Sequence, residues 1–224
     1  MTTFVEKEAV CGACGETVEV TLMGSTNRFG YPDLDLRPPE MMRSTMWMWL
    51  KECTNCGYCA EDIGEIEPEE KAIVLGDSFI KLRQSIGDLD DMARRFRAAA
   101  FIAAERGFHA SAFQHTLHEA WAHDDCQDTV RASAARLNAV DLMNQVHREG
   151  TKLFDDGGAD AAIAADLLRR GSKFERSSEV CRKALDEACA DHAQQVLEFE
   201  LELCAAHDVG CHTMEEVFAG DSET

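Results

Sequence analysis

Two copies of one short pattern constrain this chain more than anything else in it: Cys11-Gly-Ala-Cys14-Gly15 and Cys53-Thr-Asn-Cys56-Gly57. Each is a C-x-x-C-G knuckle. Such a turn aims two sulfurs at one point while backbone N–H groups donate to them, and two knuckles supply the four thiolates of a tetrahedral zinc. Between Cys14 and Cys53 lie 38 residues, a closable loop because closure entropy grows slowly with length. A site closed by four cysteines keeps no open position for a substrate, so the pattern predicts one structural Zn2+ per chain, held by Cys11, Cys14, Cys53 and Cys56. Unligated buried thiols or a redox dithiol are the alternatives. Cys59 extends the second knuckle to C-x-x-C-x-x-C. A bacterial iron–sulfur run would place a further Cys three residues on, followed by Pro. Here Ala60-Glu61-Asp62-Ile63 follows, so Cys59 reads as a spare small residue.

The remaining 164 residues of the 224 are ordinary for a globular protein, with 45% hydrophobic and 29% charged residues overall. The net charge of −20 repels phosphate backbones and anionic membrane surfaces. That charge is distributed: residues 1–60 carry 8 acidic and 5 basic side chains, and residues 61–92 carry 10 and 3. No segment offers the basic face that nucleic-acid binding requires. No apolar run reaches 18 residues, and the N-terminus lacks an apolar h-region. A cytoplasmic location is therefore expected, where thiols stay reduced and C-x-x-C pairs bind metal.

Along the chain, Val18, Val20 and Leu22 alternate with Glu19 and Thr21, the pattern of a half-buried strand. Residues 26–40 hold Gly30, Pro32, Pro38 and Pro39 and read as a loop. Residues 43–53, dense in Met and Trp, read as a strand delivering Cys53. Residues 60–72 are acidic and read as a link. From Asp88 onward the spacing predicts helices, broken at Arg106-Gly107, Asp124-Asp125 and Gly157-Gly158. Helices are expected over 128–153, 159–170, 174–189 and 191–208, with a further turn at Met214–Phe218. The expected fold is α+β, mainly α: a zinc-ribbon-like β module over 1–60, an acidic linker and connecting segment over 61–87, and an all-α domain over 88–224.

Arg106-Gly107 precedes Ala120 by thirteen residues, and Arg170-Gly171 precedes Ala184 by the same thirteen. The stretch from Ala165 to Leu185, with Gly171, Phe174 and Ala184 in place, resembles a tetratricopeptide repeat. It departs from one at Ser177 and Ser178, where a small Ala is usual, and no Pro closes the second helix. The whole chain resembles a group of uncharacterised prokaryotic proteins that join a double C-x-x-C module to degenerate tetratricopeptide-like helices. The residues carrying that likeness are Cys11/Cys14, Asp33-Leu-Asp-Leu-Arg-Pro-Pro39, Cys53-Thr-Asn-Cys56-Gly-Tyr58 and Glu119-Ala-Trp-Ala-His-Asp-Asp125. The resemblance implies an architecture and a metal, and no activity.

Other candidates are weaker. Cys204, His207, Cys211 and His212 could form a second metal site if Gly210 folds the last two back, although a helix end with a core Cys204 explains the same residues. His115, His118 and Glu119 lie within about 100° of helical arc, which suits either a metal site or a solvated polar face. Asp33 and Asp35 could act as acid and base, but Arg37 between them and the helices more simply braces the loop or bridges to the helical part. Trp47, Trp49 and Trp121 read as core. No phosphate-loop, nucleophile-elbow, zincin or dinucleotide fingerprint is present in the sequence. The expected function is a non-enzymatic, zinc-stabilised interaction scaffold whose tetratricopeptide-like surface binds a protein or peptide. A homo-oligomer is compatible with this, and neither nucleic acid nor membrane is expected as a partner. The rival readings are a metal sensor or metalloenzyme using the histidine-bearing helices, and a nucleic-acid-associated ribbon protein.

Overall fold

A computed structural model describes residues 2–154, 157–187 and 189–219. It is mainly helical, with a small β region at its N-terminal end. Strands β1 (Thr3–Val10) and β2 (Thr17–Ser25) pair antiparallel, with Ala9 opposite Val18 and Lys7 opposite Val20. The alternation expected around residue 20 is present: Val18 and Val20 are buried while Glu19 between them is exposed. A second pair, β3 (Lys51–Glu52) and β4 (Cys59–Ala60), flanks the second knuckle.

Residues 43–53 are not one strand. Arg43–Met48 form a short 3-10 helix, and only Lys51–Glu52 are extended. Thr45 decides this locally: its hydroxyl donates to the Met42 carbonyl at 2.7 Å and accepts from Trp49 Nε1 at 3.0 Å. Met46, Met48 and Leu50 are buried as the Met/Trp density suggested, but Trp47 is 46% exposed.

Helices begin earlier than expected. The segment read as acidic linker contains α1 (Pro68–Val74) and α2 (Asp77–Ser85). Pro68 opens α1 with Glu69 and Glu70 in its first turn, a favourable N-terminal composition. Val74 and Phe79 are buried in the main core. Then follow α3 (Asp91–Glu105), α4 (His109–Asp125), α5 (Thr129–Arg148), α6 (Ala159–Arg170), α7 (Phe174–Leu185), α8 (Asp191–Ala205) and α9 (Met214–Phe218). Asp90 caps α3 by accepting from the Met92 amide, and Asp128 caps α5 by accepting from the Arg131 amide. The helix expected over 128–153 stops at Arg148, those expected to reach 189 and 208 stop at Leu185 and Ala205, and Ala188 lies outside the described residues. Residues 155, 156 and 220–224 of the expected 88–224 domain lie outside them too.

Successive helices pack on one another from α3 to α8, and α6 also meets α8. The main core is continuous from the knuckles into the helices: Cys11, Val18, Met46, Cys53, Tyr58 and Ile63 join one cluster with Phe79, Phe96, Phe113, Trp121 and Leu167. A second cluster gathers Ala162, Ala165, Cys181, Val196, Leu197 and Leu203 around Leu34 from the proline-rich loop. That loop therefore completes the C-terminal core. It is tied there by backbone: Leu34 N donates to His212 O at 3.0 Å, and Met214 N to Pro32 O at 2.9 Å.

Candidate metal centre

The two knuckles fold identically because their sequences demand it. Cys11 N donates to Glu16 O at 2.8 Å and Cys53 N to Tyr58 O at 2.9 Å; Gly15 N donates to Cys11 O and Gly57 N to Cys53 O, both at 2.7 Å. Gly15 and Gly57 take φ of +79° and +74°, where a side chain would be strained. At Gly57 a Cβ would also lie 2.2 Å from Arg83 Nε. Arg83, on α2, donates to Asn55 O at 3.3 Å and so covers the second knuckle.

This places four sulfurs together. Cys11 Sγ and Cys56 Sγ are 3.7 Å apart, Cys14 Sγ and Cys53 Sγ 3.5 Å, and all four lie within 4.8 Å of one another. Disulfides need about 2.05 Å, whereas a tetrahedral ion with bonds of about 2.3 Å spaces its sulfurs about 3.8 Å apart. The group fits a single metal ion. Among the described residues it is the one convergent set of cysteine, histidine and carboxylate ligands. The surroundings favour thiolates unevenly. The Glu16 backbone N–H and the Asn55 amide hold Cys14 down to about 6, while burial raises Cys11 and Cys56. A cation at the centre would offset that burial penalty. Cys59 stays outside the group: its thiol is buried, donates to Gly57 O at 3.3 Å and is pushed well up by burial.

The centre is bolted to the helices. Tyr58 donates to Glu65 O at 3.0 Å and to Glu70 at 3.1 Å; Glu70 in turn takes Arg106, just past the end of α3, at 3.0 Å. Glu52 accepts from Arg94 of α3 at 3.0 Å, and Lys71 donates to Gly12 O at 3.1 Å. Sequence reading did not pick out Asn55, Arg83 or Glu70 as supports, since each acts across a separation set by tertiary packing.

The proline-rich loop bridges to the helices. Asp35 is fully buried and accepts from Trp121 Nε1 at 2.8 Å and Arg170 Nη1 at 3.0 Å, with Arg136 at 3.7 Å. Arg136 and Arg170 also hold Asp124, and Arg37 grips Asp125 with contacts of 2.6 and 2.7 Å. Asp33 pairs with Arg43 at 2.5 Å. Each carboxylate of the loop is thus paired with arginine, Asp33 through one oxygen only.

The remaining candidates are dispersed. Cys204 donates to Ser177 Oγ at 3.1 Å, and His207 packs on Phe174 with ring centres 4.8 Å apart. His212 contacts Glu216 at 2.7 Å and Asp208 at 3.3 Å; Cys211 joins neither. His115 and His118 are in a ring cluster with Trp49, Phe96 and Trp121, where burial pushes them down to about 4 and about 3. Glu119 is buried, bound to Arg97 at 2.5 and 2.6 Å and 3.3 Å from His123. That stretch of α4 is thus packed among rings and ion pairs rather than forming a solvated polar face.

No family model, curated protein or solved structure matches this chain.

Proposed function

We propose that the protein is a non-enzymatic adaptor whose four-cysteine centre holds one structural zinc and whose helices α3–α8 form tetratricopeptide-like hairpins. The observation that carries this reading is the closure of the centre: four converging thiols, backed by backbone donors, leave a metal no position for substrate. Four sulfurs around a single ion select zinc over hard cations. The buried acidic and basic groups of the helical half and of the loop against it are also spent on the fold. Asp35 is held by Arg136 and Arg170, Glu119 by Arg97, and Asp166 and Glu200 by Arg169. Among the described residues no helix is long and apolar enough to cross a membrane. Along α4–α6 the Asp33–Arg37 segment already lies against the helices, so this reading puts the partner on other exposed surface. The net charge of −20 argues against nucleic acid as that partner.

The test is elemental mass spectrometry on tag-free protein. One zinc per chain, lost together with thermal stability in Cys11→Ser and Cys53→Ser, is the expected result. Two zincs per chain would reopen the sensor or enzyme reading, and iron or no metal would overturn the zinc assignment.

A further inference from the structure

Strand β1 is the least covered element near the centre. Seven of its eight residues are exposed, all but Ala9, and among the described residues it pairs on one side only, with β2. Its outer edge offers an open row of backbone donors and acceptors, the template that edge strands present to other chains. One face of the ribbon, through Val18 and Val20, is fastened to the core. The other carries Phe4, Glu6 and Glu8 of β1 opposite Met23, Thr21 and Glu19 of β2. Glu6, Glu8 and Glu19 are exposed and make no ion pair among the described residues. Glu8 lies directly across from Glu19, a like-charge arrangement that weakens a ribbon on its own. At the tip, Phe4, Met23 and Trp47 are 51%, 38% and 46% exposed, with the Phe4 and Trp47 rings 6.0 Å apart. An acidic stripe ending in an apolar corner, beside an open strand edge, is a shape that the fold itself does not explain.

A second copy of the chain does not suit it. Antiparallel pairing about a two-fold keeps residues of one face opposite one another. In the two registers of greatest overlap, Glu6 then meets Glu6 or Glu8 of the other copy. We propose instead that β1 receives an extended segment of a partner protein, basic at alternate positions and bulky and apolar two residues beyond. Added as a third strand, such a segment sets its Lys or Arg side chains about 5 Å from Glu6 and Glu8 and its apolar side chain against Phe4 and Trp47. This inference rests on the adaptor reading and names the chemistry of the partner.

The probe is a fluorescent synthetic octapeptide, Ser-Thr-Arg-Thr-Lys-Thr-Phe-Ser, which in antiparallel pairing sets Arg, Lys and Phe opposite Glu8, Glu6 and Phe4; it is titrated into the full metal-loaded chain and followed by anisotropy. A second peptide of the same composition, with its two basic residues adjacent, serves as control. Expected are saturable binding of the first peptide, at least tenfold weaker binding of the second, and slowed amide exchange along β1. The exposed substitutions Glu6→Gln with Glu8→Gln, and separately Phe4→Ser, should each weaken binding at least tenfold with metal content and circular dichroism unchanged. Equal binding of both peptides, or unchanged affinity in the variants, would overturn the proposal and show mere attraction to an acidic protein. Absent binding by a protein that retains one zinc would overturn it too, while leaving the adaptor reading to another surface. A chain that holds no zinc would instead count against the adaptor reading itself.

Discussion

Asp35 has no access to solvent, and its charge is stable there only because Trp121, Arg136 and Arg170 converge on it. Removing one partner of a buried pair leaves the others uncompensated, at about 3–5 kcal/mol. Asp35→Ala should therefore lower unfolding free energy by about that much, a loss measurable by denaturant titration; a loss under about 1 kcal/mol would mean that the arginines find water instead. Glu200 poses the opposite case. Burial, reinforced by Asp166, raises its carboxyl to about 8 from an ordinary 4.5. Between those values the folded chain retains a proton that the unfolded chain has released, so stability from this group is full below about 4.5 and is lost as pH rises through about 8. Thermal midpoints should fall from about pH 6 to about pH 9, and Glu200→Gln should flatten that slope. Neither environment is legible in sequence, because Asp35 meets Arg170 and Glu200 meets Arg169 across long stretches of chain. The knuckles are legible because everything they need lies within six residues: the two cysteines, the glycine at positive φ and the amides that follow.

At the scale of elements, one device recurs. Among the described residues, five helices end in the same double bond pattern around a residue in left-handed conformation: Gly107, Gln127, Gly150, Ser172 and His207. After α3, Phe108 N donates to Ala103 O and Gly107 N to Ala104 O; after α6, Lys173 N donates to Leu168 O and Ser172 N to Arg169 O. Two of these positions hold glycine and three do not, so the latter carry a conformational cost of about 1 kcal/mol each. Gln127→Gly and Ser172→Gly should each raise unfolding free energy by up to about 1 kcal/mol, read as a shift in denaturation midpoint; a drop would show that their side chains matter more than their backbone. The sequence showed the α3 stop through its Gly, and located α6 residue for residue. Gly171, which the sequence aligns with Gly107, has φ −81° and lies close against Leu137, while the left-handed residue after α6 is Ser172. The sequence reading lost α1 and α2 because acidic residues outweighed the spaced apolar positions of Ile73, Val74, Phe79 and Leu82. It also took the Met/Trp run for a strand because both residue types suit buried strands as well as a tight helical turn.

At the scale of the molecule, the knuckles and the helices share a single core, so metal binding and helical packing are expected to melt together. Calorimetry of the metal-loaded chain should show a single transition, and a chelator should lower all of it by many degrees. A chelator-insensitive second transition would mean that the helices stand alone. The pairing of residues 32–34 with 212–214 has a further consequence, for order in time. As the chain emerges from synthesis, its N-terminal part is available first. The four cysteines are complete once residue 56 appears, so the metal can close its ring around a loop that has nowhere to go. Leu34 and Asp35 gain their seats only when α6 and α8 exist, and the loop is fastened only when Thr213 and Met214 follow. Residues 212–214 are thus the ones that let a segment made far earlier take its final place.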